Sequence, residues 1–249
     1  MLDRTAFLRP IAHRGLHNAK RGIVENTAPA FEAAIAIGYG IECDVRPAAE
    51  GLPVVFHDEA LARLVAGRGP VAKVTERQLQ SLRHRVGGAP ILKFTELLEV
   101  VSGCVPLLVE IKSEWQPPQK SFLGKLAAAA SAYRGPIALM SFDPAIMTVI
   151  RTLAPNVPRG VISGSYIGSG WWSRKISAKR AAALRDLLES GPVAPDFYAY
   201  DVNALPTPVT EYARLVQGLP LFTWTVRTAK QRRIAANSAD AMIFESFEP

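Results

Sequence analysis

Cysteine is scarce in this 249-residue chain, which holds only Cys43 and Cys104. Two cysteines make no disulfide framework, so a reduced cytoplasm is the expected compartment. No apolar run reaches the ~18 residues that a membrane-spanning helix needs. The stretch Met1–Pro10 carries no long apolar segment, so no secretory leader is expected. Histidine is rare, at four residues, and no cysteine or histidine cluster argues for zinc. The formal charge is +7, yet the basic residues are scattered and form no long run. That disfavours nucleic acid and favours anionic partners such as phosphate esters or lipid headgroups. A glycine-rich dinucleotide loop is missing after the first strand-like run. Internal repeats, low-complexity tracts and linkers are missing as well.

What is present is ample apolar content, at 49% of residues. The length suits one large domain or two small ones. Strand-like runs fall at Pro10–Gly15, Ile41–Val45, Gly51–Asp58, Val105–Lys112, Ile137–Ser141, Arg159–Ser163, Phe197–Asp201, Leu221–Val226 and Ala241–Glu245. Helical patterns alternate with them. Thr27 is the N-cap of the first, with Pro29 in its first turn and Gly38 at its end. Thr75 and Gln78 form a capping box, Thr95 opens another helix, and an Ala-rich helix covers about 119–133. Asp143-Pro144, Ser177, Thr207-Pro208 and Thr228 open the rest; the Ser177 helix is expected to reach Gly191, and the Thr207 helix carries Tyr212, Leu215 and Val216.

Regular alternation of this kind predicts an α/β fold, a (β/α)8 TIM barrel spanning residues 1–249 as one domain. Gly51–Asp58 is expected as an extra strand, with a small insertion after the second strand, and a closing helix is not expected. A doubly wound open sheet is the alternative, and it explains the strand count less well.

In a barrel, chemistry sits at the C-terminal ends of the strands. The polar residues follow that rule: His13 and Arg14 at the first strand, Glu42 and Asp44 at the second, His57 at the extra strand, Glu110 and Lys112 at the third. Glu42 and Asp44 are two apart, so they share one face of their strand while Cys43 faces away as core filler. Side-by-side carboxylates in an apolar strand need a cationic partner. Glu42, Asp44 and Glu110 make a hard-cation set suited to one divalent ion, Mg²⁺ or Ca²⁺, with Mn²⁺ a third option. Arg14 and Lys112 suit phosphate, one as a planar fork and the other as a point charge. His13 and His57 suit an acid–base pair. Each residue taken singly also fits a structural role, a strand-end histidine or a salt-bridged acid.

Several motifs together carry a family resemblance: His13-Arg14-Gly15, Glu25-Asn26-Thr27, Glu42-Cys43-Asp44-Val45, Gly51 leading to His57-Asp58, Glu110-Ile111-Lys112, Trp224-Thr225-Val226, and Ala239-Asp240-Ala241-Met242-Ile243. In this order and spacing the chain resembles the glycerophosphodiester phosphodiesterase family, a branch of the phospholipase-C-like phosphodiesterase barrels. The resemblance implies metal-dependent hydrolysis of a glycerol phosphodiester to glycerol 3-phosphate and an alcohol. It implies Glu42, Asp44 and Glu110 as metal ligands, His13 and His57 as acid and base, and Arg14 and Lys112 on the phosphate. The attacking group is either the glycerol hydroxyl, through a cyclic phosphate, or water. Val24, Pro47–Glu50, Pro90–Thr95, Ala241 and Glu245 depart from the usual pattern without removing a proposed catalytic residue. They bear on loop shape and substrate choice, and the insertion implies a fairly open site.

Other positions carry two readings each. Trp224 is either core or a wall for the glycerol or alcohol. Glu25 and Asn26 are read as ordering their loop and capping backbone amides. His17 and His84 are read as loop or helix-surface residues. Trp171 and Trp172, beside Arg174 and Lys175, either fold against the barrel rim or touch a lipid surface or choline group. The competing functions are a lysophospholipase D, or another lipid phosphodiesterase on the same site, and a catalytically silent phosphodiester-binding barrel.

Overall fold

The structure, a computed structural model, describes residues 1–168, 170 and 172–249. Its strands are β1 (Ile11–Ala12), β2 (Gly40–Pro47), β3 (Pro53–Val55), β4 (Leu107–Ile111), β5 (Ile137–Ser141), β6 (Arg159–Ser163), β7 (Phe197–Asp201), β8 (Leu221–Val226) and β9 (Ala241–Phe244). All but β3 are parallel to their neighbours. The order β1-β9-β8-β7-β6-β5-β4-β2 closes on itself through a further β1–β2 pairing. The result is a closed eight-stranded (β/α)8 barrel. The extra strand β3 pairs antiparallel with the far end of β2, from Val45 opposite Val55 to Pro47 opposite Pro53.

The period of two sorts each strand into an inner and an outer face. Ile41, Cys43 and Val45 of β2 and Leu107, Val109 and Ile111 of β4 face outward, into the layer shared with helix residues such as Phe31, Leu97 and Leu126. Leu108, Ala138, Met140, Ile162, Phe197, Phe222 and Ile243 fill the interior. Phe197 and Phe222 meet edge to face at 5.3 Å. Gly160 is small because a Cβ there would stand 2.2 Å from the Phe197 ring.

The helices follow their sequence signals unevenly. Ala28–Ile37 begins after Thr27 and ends at Gly38, whose φ of 82° gives the left-handed stop. The Thr27 hydroxyl does not cap; it donates to the Val24 carbonyl at 2.6 Å. Asp143 does cap Pro144–Leu153, accepting from Ala145 N. The segment opened by Ser177 is helical only over Ala178–Arg185, then turns at Leu187 (φ 56°). After Pro208–Glu211 the chain widens into a π-turn over Tyr212–Val216. The wider pitch turns Ala213 inward and leaves Tyr212, Leu215 and Val216 55–70% exposed, so that apolar trio is not a core face.

The insertion after β3 has its own small core, including Phe56, Leu61, Val65, Val71 and Leu79. His84 belongs to it: it lies in a loop, one of the two places expected for it, with its side chain buried and Nδ1 2.8 Å from the Ala89 carbonyl. Among the described residues, no helix is long and apolar enough to cross a membrane.

Phe197→Ala removes the ring that fills the barrel beneath Gly160. It should cost about 3–5 kcal/mol, read from the urea midpoint. A loss below about 1 kcal/mol would show that the interior closes around the gap.

Candidate active site

The chain leaves β1 through a tight kink. Arg14 and Gly15 both have positive φ, 56° and 76°. A Cβ on Gly15 would stand 2.8 Å from the Ala30 carbonyl carbon, so this turn requires glycine. Gly15 N donates to both the Ala12 and Glu42 carbonyls at 3.2 Å. The kink sets His13 and Arg14 over the end of the barrel. His13 Nδ1 is 2.8 Å from Glu245 Oε2, just past β9, and its Nε2 is 3.8 Å from Glu42 Oε2. Arg14 Nη1 donates to Glu25 Oε1 at 2.7 Å, and its Nε is 3.1 Å from Asp44 Oδ2.

Strand register gathers the acids. Asp44 on β2 lies opposite Glu110 on β4, and Glu42 lies one inner-face position below Asp44. Glu42, Asp44 and Glu110 each offer an oxygen within 4.8 Å of the other two, and all three side chains are buried. Lys112, two residues beyond Glu110, places Nζ 2.7 Å from Asp44 Oδ1 and 2.6 Å from Glu110 Oε1. The backbone amide of Arg14 donates to Glu42 Oε2 at 3.0 Å.

Charge is shared unevenly across this cluster. Burial would raise the Asp44 carboxyl, but Lys112 and then Arg14 hold it below the usual carboxylate range. Burial pushes Glu42 well above that range, and repulsion from Asp44 and Glu110 adds to it. Burial also pushes Glu110 up, against the pull of Lys112. Two cations for three buried carboxylates leave a deficit of positive charge where three oxygens converge. The donors are all hard oxygens at strand ends. They fit a divalent ion such as Mg²⁺ or Ca²⁺, which would let all three acids ionise together.

His57 approaches from the insertion side. Its Nδ1 is 2.8 Å from Asp58 Oδ1, and Arg63 grips Asp58 through Nε (2.5 Å) and Glu25 through Nη2 (2.7 Å). Burial is the largest influence on His57 and lowers it to about 4, against the pull of Asp44. His13 is also lowered by burial, with its bond to Glu245 opposing. Both imidazoles thus tie Nδ1 to a carboxylate, which fixes ring orientation and turns Nε2 to other partners.

A cavity of about 730 Å³ opens over these groups, lined by His13, Arg14, Glu42, His57, Glu110, Lys112 and Trp224 among others. Asp44 lies just beneath this lining, fully buried. Trp224 meets Phe142 edge to face at 5.3 Å, and both border the cavity as a wall. At the rim, Lys175 binds both Glu59 of the insertion and Glu114 beyond β4. Those pairs and Arg63–Glu25 tie the insertion to the rim of the mouth. Trp172 packs edge to face on Tyr166 at 5.7 Å, against the rim. Trp171 lies outside the described residues.

Three residues gain a part that sequence reasoning did not give them. Asn26, held at φ 58°, donates Nδ2 to Asp44 Oδ2 at 2.8 Å and accepts from Asp44 N at 3.2 Å. It therefore holds a carboxylate of the cluster as well as its own loop. Glu245 and Asp58 orient the two histidines. Glu245 obeys the strand-end rule, and Asp58 adjoins His57, so position was the available signal. His17 lies in the loop after β1, one of the two places expected for it, and is partly buried next to His13 and Glu245.

Fold and site together define a (β/α)8 barrel whose strand ends gather cations, imidazoles and an acidic cluster around one cavity. The chain's sequence from 13 to 247 matches the Glycerophosphoryl diester phosphodiesterase family, and the chain belongs to it. Members of this family are hydrolases. The Bos taurus glycerophosphodiester phosphodiesterase 1 is 26% identical over 251 residues, covering 89% of this chain and 72% of that protein. A Mycobacterium tuberculosis protein named "Probable glycerophosphodiester phosphodiesterase 1" is 29% identical, covering 87% of this chain and 81% of its own. Among solved structures, an Oleispira antarctica phosphodiesterase in complex with the product sn-glycerol-3-phosphate superposes with a TM-score of 0.71 at 21% identity. That match covers 95% of this chain and 92% of the other.

Asn26→Ala should keep the barrel but remove the two bonds that the Asn26 amide makes to Asp44, one to its carboxylate and one from its backbone N–H. A partner of this kind is worth about 10–100-fold in metal affinity. Calorimetric titration with Mg²⁺ or Ca²⁺ checks it, and an unchanged affinity would show that Asn26 serves its loop alone.

Proposed function

We propose that this chain hydrolyses glycerophosphodiesters to glycerol 3-phosphate and an alcohol, with residues 1–249 acting as one catalytic domain. The observation that carries the reading is the convergence of three buried carboxylates, two cations and two carboxylate-bound imidazoles on one cavity. The product held by the Oleispira antarctica relative supports the same substrate class.

In this reading Glu42, Asp44 and Glu110 hold one divalent ion. When bound, that ion supplies Lewis-acid stabilisation of charge growing on the phosphoryl oxygens. Arg14 and Lys112 bind those oxygens from the protein side. Their ion pairs to Asp44 pre-position both heads, so little reorganisation is needed as charge develops. With Nδ1 bound to a carboxylate, each histidine moves protons through Nε2. One imidazole takes the proton from the attacking hydroxyl, and the other returns a proton to the departing alkoxide. Over the full reaction one P–O bond to the alcohol breaks, and water supplies the hydroxyl to phosphorus and the proton to the alcohol. Trp224 and Phe142 give the glycerol an apolar wall that keeps bulk water off one side of the phosphate.

The direct test is glycerol 3-phosphate release from glycerophosphocholine and glycerophosphoethanolamine. Chelator should abolish turnover, and Mg²⁺, Ca²⁺ or Mn²⁺ should restore it. No release from either diester with any of these ions overturns the reading.

His13→Gln and His57→Gln should each lower kcat by at least about 100-fold while calorimetry still shows divalent-ion binding. Wild-type turnover in either variant removes that histidine from proton transfer.

A further inference from the structure

One set of donor atoms is not used as a set by this chemistry. His13, His17 and Glu245 each offer one ligand atom, and the three atoms lie within 4.8 Å of one another. His17 is placed by the turn after β1, where its amide donates to the Gly15 carbonyl at 2.9 Å. Its Nε2 is buried and has no hydrogen-bond partner among the described residues. A buried ring nitrogen left in this state is costly unless something binds it.

The donor chemistry differs from that of the carboxylate cluster. Burial of both imidazoles disfavours the charged ring relative to the neutral ring, the form that ligates a metal. Burial would raise Glu245, but the hydrogen bond from His13 and the pairing with Arg227 hold it at about 2, so it is ionised. Two neutral imidazoles and a carboxylate suit a late first-row dication, and suit Mg²⁺ or Ca²⁺ poorly.

We propose that His13, His17 and Glu245 form an inhibitory site for Zn²⁺ or a dication of similar softness, separate from the Glu42–Asp44–Glu110 cluster. Zinc ligands lie ~2.0–2.1 Å from the ion, so tetrahedral donors stand about 3.3–3.5 Å apart. The present spacing closes to that by a modest swing of side chains. Glu245 Oε2 is now shared by His13 Nδ1 and Arg227 Nη2, both at 2.8 Å. Arg227 is half-exposed and returns to water readily. Whichever nitrogen of His13 takes the ion, the ring loses either its orienting bond or its proton-transfer atom. Only this effect on turnover rests on the proposed role of His13; binding of the ion does not.

The experiment uses Mg²⁺-saturated enzyme titrated with ZnCl₂, with binding followed by calorimetry and turnover by glycerol 3-phosphate release. Wild type should take up one zinc and lose turnover at least about tenfold, and further Mg²⁺ should not restore it. His17→Gln should keep its zinc-free turnover, bind zinc at least about tenfold more weakly, and need correspondingly more zinc for inhibition. His17→Ala serves as the second variant should Gln disturb the turn. Co²⁺ in place of zinc should give wild type a visible d–d absorption that both variants lack. Zinc bound as tightly by both variants as by wild type overturns the site, as does inhibition that excess Mg²⁺ reverses, which would put zinc among the three carboxylates. A wild type inactive on every diester would sink the hydrolase reading, while the calorimetry and the Co²⁺ spectrum would still decide this one.

Discussion

Three carboxylates buried side by side with two cations form the constraint on which this site depends. At separations of ~4–5 Å, like charges repel by about 3–4 kcal/mol even at an effective dielectric of about 20. Strand register makes the crowding unavoidable, because Asp44 and Glu110 are direct neighbours across β2 and β4. Lys112 and Arg14 relieve Asp44, and Glu42 and Glu110 are left raised. A site held in this state is poised for added positive charge. Once a divalent ion is present, the net charge turns slightly positive, which suits a singly charged phosphodiester.

The surrounding structure keeps that crowding in place. Asn26, at a left-handed backbone position in the loop that follows β1, clasps Asp44. Glu25 joins Arg14 of the β1 kink to Arg63 of the insertion, and Arg63 joins Glu25 to Asp58, which orients His57. The insertion is therefore part of the site, because it delivers one of the two histidines through a chain of ion pairs. Its small apolar core, with His84 inside, gives that delivery a firm base.

Strand positions were legible because each barrel strand is a short apolar run whose period differs from that of the flanking helices. Four of them, β5 to β8, fall where the sequence places them. Helix extents were less legible. The π-turn at Tyr212–Val216 arises from how the segment meets its neighbours, and no local pattern marks it. The shortened helix at Ala178–Arg185 is of the same kind.

The sequence by itself determined the fold class, the two-residue spacing that puts Glu42 and Asp44 on one face, and the strand-end placement of His13, Arg14, His57, Glu110 and Lys112. These follow from local periodicity, which a single strand carries within itself. Only the tertiary structure decided that Glu245 orients His13, that Asn26 holds Asp44, and that His17 joins a second set of donors. Those pairs are separated by up to 232 residues, and barrel closure between β1 and β9 brings the ends of the chain together. Chain-distant contacts of this kind leave no local pattern, since each residue alone reads as an ordinary loop acid, amide or imidazole.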